Sequence, residues 1–141
     1  MFTAENQLRV RYAETDQMGY VYYGNYATYY EISRTEAIRA LGLSYKTLEE
    51  EMGVMMPVLE NYSKYLQPAR YDDQLRIVVK IPEMPTARIT FTYEIYNEEN
   101  TLLHTGKTVL VFVNKESGRP CRIPERMMDL LAPYFENEKE S

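Results

Sequence analysis

Residues 25–42 read NYATYYEISRTEAIRALG, and this stretch decides the fold because it carries the long helical pattern of the chain. On a helix of about 100° per residue, its apolar and small side chains gather on one face: Tyr26, Tyr30, Ser33, Ala37, Ala40 and Leu41. The charged residues lie elsewhere on the helix, namely Glu31, Arg34 and Arg39. Asn25 is a good N-cap and Gly42 a good C′ residue, so the pattern predicts a helix of roughly sixteen residues.

Strand patterns precede and follow this helix. Leu8, Val10 and Tyr12 alternate with polar neighbours, which predicts a first strand over residues 7–12. Further segments with strand character come later in the chain, at residues 54–66, 75–81, 87–96 and 102–113. The polar sequence NEENTL between the last two segments is typical of a hairpin turn, so we expect these strands to run antiparallel.

Two shorter helices complete the predicted elements. Ser44 begins the first, over residues 44–52, and Pro124 occupies the first turn of the second. The order of strand, long helix, short helix, several strands and a final helix predicts an α+β domain with one antiparallel sheet around the long helix. We expect residues 1–135 to form this single domain and residues 136–141 to form an acidic, frayed tail.

The composition limits the classes of function that the chain can have. The chain has 141 residues, of which 45% are apolar and 26% are charged, and its formal net charge is -5. These values argue against a disordered chain and against a free-standing nucleic-acid binder, which normally carries a basic excess. The sequence contains neither a recognisable targeting segment nor an apolar run long enough to span a membrane, which predicts a cytoplasmic protein.

Histidine and cysteine are scarce in this chain, whereas tyrosine is abundant. There is one His, His104, and one Cys, Cys121, against 14 Tyr. A single Cys excludes an internal disulfide, and one His with one Cys excludes a Cys/His zinc site within one chain, so we expect no metal site. We interpret Cys121 as a bystander thiol. Proton chemistry is then expected to rest on a carboxylate or a tyrosine.

The segment richest in chemistry lies just before the long helix. Seven of the tyrosines fall within residues 12–30, around the carboxylate of Asp16. A carboxylate placed before a helix N-terminus meets unpaired backbone N–H groups and the positive end of the helix dipole, a combination suited to acyl transfer. The residues alone leave a second interpretation open, in which Asp16 caps a turn, Gly19 and Gly24 are turn glycines, and the tyrosines build the core.

This segment resembles the opening motif of a known enzyme family. The motif positions are filled in order by Asp16, Gly19, Tyr20, Val21, Tyr22, Tyr23, Asn25 and Tyr26. KYLQPARYDDQLRI at residues 64–77 and RPCRIPE at residues 119–125 are similar to further signatures of that family. Residues 6–135 thus resemble the hotdog-fold acyl-CoA thioesterases of the 4-hydroxybenzoyl-CoA thioesterase and YbgC-like family. The resemblance implies a five-stranded antiparallel sheet wrapped around a long central helix, in a homodimer or homotetramer formed by joining sheets.

The resemblance also implies catalytic roles for two residues. Asp16 matches the essential carboxylate of the family, which acts either as a nucleophile on the thioester carbonyl or as a general base toward water. Tyr23 matches the position at the helix start whose backbone N–H donates to the thioester oxygen. Some YbgC-like relatives have His at the position of Tyr23, so the tyrosine weighs against a histidine-assisted mechanism here.

Substrate-binding roles carry over to the neighbouring motif positions Gly19, Tyr22, Gly24, Asn25 and Tyr26. Asn25 is either a helix cap, which we favour, or a substrate contact. Tyr26 either shapes the acyl pocket or packs in the core. Glu14 either acts on Asp16 through like-charge proximity or points outward, and we favour the outward orientation.

The phosphates of CoA need positive charge, which an acidic chain must supply locally. Lys64, Arg119 and Arg122 are the predicted CoA-binding residues, with Arg70 as a further candidate. Residues 114–126, which contain both Arg119 and Arg122, hold four Lys or Arg against two Glu. This segment is therefore positively charged within an acidic chain.

The sequence predicts an acyl-CoA thioesterase that hydrolyses short-chain or aromatic acyl-CoA and needs no cofactor, since CoA is part of the substrate. Two alternatives stay open, namely a thioesterase that acts on an acyl carrier protein and a non-catalytic hotdog subunit that binds acyl-CoA. The presence of Asp16 argues against the non-catalytic subunit.

Overall fold

A five-stranded antiparallel sheet packs around one long helix in the computed structural model, which describes residues 1–136. The strands are β1 (Phe2–Arg9), β2 (Val54–Met55), β3 (Val58–Tyr65), β4 (Gln74–Ile81), β5 (Arg88–Tyr96), β6 (Leu102–Val111) and β7 (Val113–Asn114). The helices are α1 (Asn25–Ala40), α2 (Tyr45–Glu50) and α3 (Glu125–Leu131), with 3-10 turns at Tyr12–Glu14 and Ala132–Tyr134. The predicted tail, residues 136–141, lies outside the described residues apart from Glu136.

The strand order in the main sheet is β1-β4-β5-β6-β3, so β1 and β3 form its two edges. Every neighbouring pair in this sheet is antiparallel. β2 and β7 pair separately as a small antiparallel ribbon. The arrangement confirms the predicted α+β class with a five-stranded antiparallel sheet.

The core lies between α1 and the inner face of the sheet. On β5 the apolar residues that alternate in the sequence are all buried, namely Ile89, Phe91, Tyr93 and Ile95. The Tyr30 ring of α1 stacks on the Tyr93 ring with centroids 4.2 Å apart. The edge strand β3 differs from β5, because almost all of its side chains are exposed.

Tyr30 explains why a glycine stands in the middle of β6. A Cβ atom at Gly106 would overlap the hydroxyl and ring carbons of Tyr30, so glycine is needed where the tyrosine crosses the strand. The Tyr30 hydroxyl then lies 2.6 Å from the Ser63 hydroxyl and hydrogen-bonds Nε2 of His104. One buried phenol therefore links α1, β3 and β6.

The first strand differs from its prediction. β1 spans Phe2–Arg9 and pairs with β4 along its whole length, instead of covering residues 7–12. Most of residues 3–7 are polar because β1 is an edge strand with one face toward solvent, and this polarity weakens the strand pattern in the sequence. Tyr12 begins a 3-10 turn and is 80% exposed.

The long helix matches its predicted length but not its predicted cap. α1 covers 16 residues, and Gly42 follows it with φ of +94°, the left-handed conformation expected of a C′ glycine. Gly24 is the N-cap and Asn25 the first helical residue, so the prediction of Asn25 as the cap is wrong. Arg34 is buried, contrary to its expected place away from the core face, and its guanidinium lies 3.5 Å from the Tyr93 hydroxyl.

The first of the shorter helices begins where the sequence predicts, whereas the last begins one residue later, because Pro124 is its N-cap and not part of its first turn. The Ser44 hydroxyl accepts the Thr47 N–H at 3.0 Å and so caps α2. Pro124 immediately precedes α3 as its N-cap residue. Within residues 1–136, no helix has the length and apolarity that a membrane crossing requires.

Candidate active site

Asp16 lies in a tight turn between the first 3-10 turn and α1. The Asp16 N–H donates to the Tyr20 carbonyl at 2.7 Å, and the Gly19 N–H donates to the Asp16 carbonyl at 3.0 Å. Gly19 has φ of +79°, a left-handed conformation that favours glycine at this position. Thr15 and Val21 pair on either side of the turn. Residues 15–21 therefore form a short hairpin, called the Asp16 hairpin below.

The Asp16 carboxylate is held at one oxygen and open at the other. Its Oδ1 accepts the backbone N–H of Met18 at 2.9 Å and that of Tyr20 at 3.2 Å. Hydrogen bonds to an ionised carboxylate are stronger than neutral ones, so these two bonds fix the direction of the side chain. No donor within residues 1–136 hydrogen-bonds Oδ2. That oxygen is free to act on a bound molecule.

Glu14 joins the Asp16 hairpin to α1. Its carbonyl accepts the N–H of Tyr22 at 2.9 Å and Nδ2 of Asn25 at 2.8 Å. Its carboxylate oxygen Oε1 accepts the hydroxyl of Tyr29 at 2.9 Å and the N–H of Arg11 at 2.8 Å. The side chain is only 19% exposed, so the prediction that Glu14 points outward is wrong. The physical reason is that the buried Tyr29 hydroxyl needs an acceptor.

The start of α1 offers a free backbone donor. The Asn25 N–H donates to the Tyr22 carbonyl at 2.9 Å, which closes the turn and leaves the Tyr23 N–H outside the helical hydrogen bonds. In the part of the chain that the structure describes, the Tyr23 N–H has no acceptor. The helix dipole adds positive potential at this end of α1. The arrangement favours a negatively charged or strongly polarised oxygen as the acceptor.

Asp16 and Tyr23 line one cavity of about 330 Å³. The rest of its lining comes from the Asp16 hairpin, from α1 and from the end of β3, and includes Met18, Tyr20, Tyr26, Tyr65, Leu66 and Pro68. The Val21 N–H donates to the Ala69 carbonyl at 2.8 Å, so the hairpin wall and the wall formed by residues 65–68 are connected. A largely apolar cavity with one carboxylate and one helix N-terminus suits an acyl group with a polar carbonyl.

Aromatic rings form the inner part of this cavity. Tyr26 is 3% exposed and stacks on His104 with ring centroids 4.0 Å apart. Tyr65 meets the Tyr26 ring edge-on, with centroids 5.5 Å apart. Burial raises the pKa of Tyr26 to about 12, so its hydroxyl stays protonated at neutral pH. The rings of Tyr26 and Tyr65 therefore form an aromatic part of the cavity wall.

His104 lies behind these rings and does not line the cavity. It is fully buried, and Tyr30 is the hydrogen-bond partner of its Nε2. Burial lowers the pKa of His104 to about 4, so the imidazole is neutral at pH 7. That His104 takes no part in the chemistry stays a prediction, and its position behind Tyr26 agrees with it.

The predicted site residues differ in how directly they meet the cavity. Three of them line it, namely Asp16, Tyr23 and Tyr26. The Asn25 amide donates to the Glu14 carbonyl instead of being free for a ligand. Tyr22 is exposed and covers Gly24, where a Cβ would lie 2.8 Å from the tyrosine ring. Gly19 thus permits the left-handed turn after Asp16, and Gly24 leaves room for the Tyr22 ring next to Tyr23.

The predicted CoA-binding residues are separated from one another. Lys64 is exposed on β3, next to Tyr65 of the cavity. Arg119 lies in the turn after β7, where its carbonyl accepts the Asn114 N–H at 2.8 Å. Arg122 lines a second cavity of about 740 Å³ beside α3, which shares no lining residue with the Asp16 cavity. Of these three residues, Lys64 is the one that adjoins a lining residue of the Asp16 cavity, namely Tyr65.

Arg70, which the sequence offered only as a further candidate, lies against a residue of the cavity wall. The Arg70 guanidinium lies over the Tyr20 ring, 4.8 Å from its centroid, and the two residues pair as a bridge. No carboxylate within residues 1–136 lies close enough to Arg70 to form a salt bridge. Sequence reasoning missed the cavity wall at residues 65–68, although the KYLQPARY stretch that contains it was recognised as a signature.

Comparison with known families supports one assignment over most of the chain. The model of the thioesterase-like superfamily matches residues 10–131. The chain belongs to this superfamily. The putative acyl-CoA thioesterase YneP of Bacillus subtilis is 32% identical over 139 residues, which cover 99% of this chain and 100% of YneP. The acyl-CoA thioester hydrolase YbgC of Escherichia coli O157:H7 is 36% identical over 121 residues, 86% of this chain and 90% of YbgC.

Solved structures of the thioesterase-like superfamily share the architecture. A DHNA-CoA thioesterase from Staphylococcus aureus is 30% identical with a TM-score of 0.87, over 99% of this chain and 96% of that one. These relationships confirm the predictions of a hotdog fold and of a thioester hydrolase. In hotdog terms, α1 is the central helix and the five-stranded sheet is its wrapping. No cluster of three or more His, Cys, Asp or Glu able to hold a metal ion occurs within residues 1–136.

Proposed function

We propose that this superfamily member hydrolyses the thioester of short-chain or aromatic acyl-CoA to the free acid and CoA. The observation that carries the proposal is that one cavity is lined both by Asp16 and by Tyr23, whose backbone N–H has no acceptor within residues 1–136. The names of YneP and YbgC support acyl-CoA as the substrate class. The reaction needs no cofactor, because water accepts the acyl group.

In the proposed mechanism, the thioester carbonyl oxygen accepts the Tyr23 N–H and negative charge develops on it at the helix N-terminus. Asp16 Oδ2 then follows one of two routes. As a nucleophile it bonds to the carbonyl carbon, the carbon–sulfur bond breaks, CoA leaves as the thiolate, and water hydrolyses the acyl anhydride. As a general base it takes a proton from the water that attacks the carbonyl. Mass spectrometry of rapidly quenched protein distinguishes the routes, because only the first acylates Asp16.

The size and lining of the cavity support a small acyl group. At about 330 Å³ it lies at the low end of ligand pockets, which span about 300 to 1,000 Å³. The Tyr26 and Tyr65 rings narrow its inner part, and aromatic rings pack well against a planar aryl group. We therefore expect benzoyl, phenylacetyl and short aliphatic thioesters to be better substrates than palmitoyl thioesters.

Lys64 and Arg70 are the proposed contacts for the CoA phosphates from the chain that supplies Asp16. Arg70 adjoins Tyr20 of the cavity, and Lys64 adjoins Tyr65. Arg119 and Arg122 serve this role only from a second copy, because Arg122 lines a separate cavity in its own chain.

The exposed edge strand β3 supports the proposed homodimer or homotetramer. No strand within residues 1–136 pairs with its outer side, and it carries exposed apolar side chains at Val58, Leu59, Tyr62 and Tyr65. An uncovered apolar edge tends to pair with another chain. Light scattering after size exclusion measures the assembly, and a stable monomer would argue against a site completed by a second copy.

The decisive experiment compares the parent with Asp16→Asn by measuring CoA release from acetyl, butyryl, hexanoyl, palmitoyl, benzoyl and phenylacetyl thioesters. The asparagine oxygen can still accept the Met18 and Tyr20 N–H groups, so we expect the fold to persist. The amide supplies neither nucleophile nor base, and we expect kcat for the best substrate to fall by about 1,000-fold. Glu99→Gln, an exposed carboxylate-to-amide change in the turn between β5 and β6, serves as the matched control and should leave kcat unchanged.

If Asp16→Asn hydrolyses its best substrate as fast as the parent, the assignment of Asp16 is wrong. Activity on acyl carrier protein thioesters with none on CoA thioesters would support the carrier-protein alternative. Tight binding of acyl-CoA without hydrolysis of either type would support the non-catalytic subunit. A cytoplasmic location stays a prediction.

A further inference from the structure

Glu14 lies at the junction between the Asp16 hairpin and α1, the two parts that must meet in the proposed site. Its carbonyl binds the Tyr22 N–H and the Asn25 amide at the start of α1. Its carboxylate binds the Tyr29 hydroxyl one turn further along the same helix. Glu14 stands two residues before Asp16 in the chain. The residue therefore connects the segment that carries the carboxylate to the helix that carries the backbone donor.

We propose that Glu14 is a positioning residue, which holds the Asp16 hairpin at a fixed place relative to the Tyr23 N–H. The inference rests on the proposed function, in which Asp16 and the Tyr23 N–H act on the same carbonyl group. The two groups lie seven residues apart, on either side of the junction between the hairpin and α1, so their separation depends on how that junction is held. Hydrogen bonds of 2.8 to 2.9 Å converge on Glu14 from both sides of this junction.

The other contacts of the hairpin fix a different side of it. The Val21 N–H donates to the Ala69 carbonyl, and Tyr20 pairs with Arg70. These contacts attach the hairpin to the segment that follows β3. On the side of α1, the hairpin continues into the helix through Tyr22, whose carbonyl accepts the Asn25 N–H, and the Glu14 side chain adds a hydrogen bond from Tyr29. Catalysis that depends on two groups is sensitive to the distance between them, since a misplacement of about 1 Å can cost about 100-fold in rate.

Burial makes the contact between Glu14 and Tyr29 persistent. Tyr29 is fully buried, and a buried hydroxyl without a partner is costly. Burial and the neighbouring Glu14 carboxylate raise the pKa of Tyr29, so the phenol remains a hydrogen-bond donor over the whole pH range of the assay. Arg11 makes two contacts with the same carboxylate: its backbone N–H donates to Oε1 at 2.8 Å, and its exposed guanidinium lies 3.9 Å from Oε2.

The test compares Glu14→Ala, Glu14→Gln and Tyr29→Phe, with Glu99→Ala, a change of an exposed glutamate between β5 and β6, as the matched control. Glu14→Ala removes the carboxylate acceptor and should lower kcat by about 10- to 100-fold with KM within about threefold of the parent. Glu14→Gln keeps an oxygen for both donors and should stay within about threefold in kcat. Tyr29→Phe removes only the donor on α1 and should lower kcat by about threefold to tenfold.

A second readout does not depend on activity. Hydrogen exchange at the Met18 and Tyr20 amides, which Asp16 Oδ1 binds, reports the order of the hairpin. Exchange should be faster in Glu14→Ala than in the parent and should return to the parental rate in Glu14→Gln. If Glu14→Ala does not fold, Tyr29→Phe provides the same test, because it keeps Glu14 and its bond from Arg11.

Each outcome decides for or against Glu14 as a positioning residue. Equal losses of kcat in Glu14→Ala and Glu14→Gln would overturn the proposal, because an oxygen that accepts the same hydrogen bonds would then not restore activity. A change confined to KM would also overturn it, because a misplaced catalytic group should lower kcat. If the parent hydrolyses no thioester, the proposed function fails, and hydrogen exchange alone decides the role of Glu14. Unchanged exchange in both Glu14→Ala and Tyr29→Phe would then reject it.

Discussion

His104 should make the stability of this protein depend on pH between about 4 and 6.5. The imidazole is fully buried, and the rings packed against it are the phenols Tyr26, Tyr30 and Tyr65. Burial lowers the pKa of His104 from 6.5 to about 4 in the folded state. Between these two values the unfolded chain binds the proton and the folded chain does not, so the folded state loses stability as the pH falls.

The size of the effect follows from the two pKa values. Lowering the pH from about 7.5 to about 5 should reduce the free energy of unfolding by about 2 kcal/mol through this group alone. Carboxylates also contribute to the pH dependence, so His104→Gln is needed to isolate the histidine. The glutamine does not titrate, yet it can still accept a hydrogen bond from Tyr30.

The assay is urea unfolding followed by far-ultraviolet circular dichroism at both pH values, with protein concentration held constant because assembly would also affect stability. We expect the parent to lose about 2 kcal/mol more than His104→Gln between the two pH values. Equal losses in the two proteins would show that His104 titrates normally in the folded state, and would refute its described burial behind Tyr26.

Three further predictions concern the core, the cavity wall and the CoA contact. Gly106→Ala should lower the melting temperature by about 8 to 15 °C in a thermal scan, because the new methyl group displaces the buried Tyr30 ring. A change of about 1 °C or less would contradict the close approach of Tyr30 to the backbone of Gly106. Tyr65→Ala should raise kcat/KM for hexanoyl-CoA relative to that for benzoyl-CoA by about tenfold, since it removes a ring from the cavity wall. An unchanged ratio of the two kcat/KM values would argue that Tyr65 does not limit the size of the acyl group. Arg70→Ala should raise KM for acyl-CoA by about tenfold but leave hydrolysis of the acyl-N-acetylcysteamine thioester, which has no phosphates, unaffected. Equal effects on both substrates would mean that Arg70 acts on the site itself.

Much of the fold could be predicted because α1 and β5 carry patterns set by local physics. Residues 25–42 have a helical period with a glycine stop, and residues 89–95 alternate between buried and half-exposed positions. β1 was harder to locate because an edge strand needs apolar residues on only one face. Its extent depends on pairing with β4, and that partner lies about seventy residues away in the chain.

The candidate site could be predicted in part for a similar reason. Asp16 and Tyr23 occupy one continuous segment, so a linear motif contains both. The orientation of Glu14 could not be predicted, because it depends on the buried hydroxyl of Tyr29 fifteen residues later. The separation of Arg122 from the Asp16 cavity depends on how α3 docks, which the local charge pattern of residues 114–126 does not encode.

The cavity wall at residues 65–68 has a consequence for how this enzyme can change. These residues begin at the last residue of β3, and the Leu66 and Gln67 N–H groups both donate to the Leu103 carbonyl through the backbone. Side chains here can therefore vary without loss of the hydrogen bonds that anchor the segment. A mutational library confined to Tyr65, Leu66 and Gln67 is the most economical route to new acyl preferences, since it reshapes the cavity and leaves the Asp16 hairpin and the start of α1 untouched.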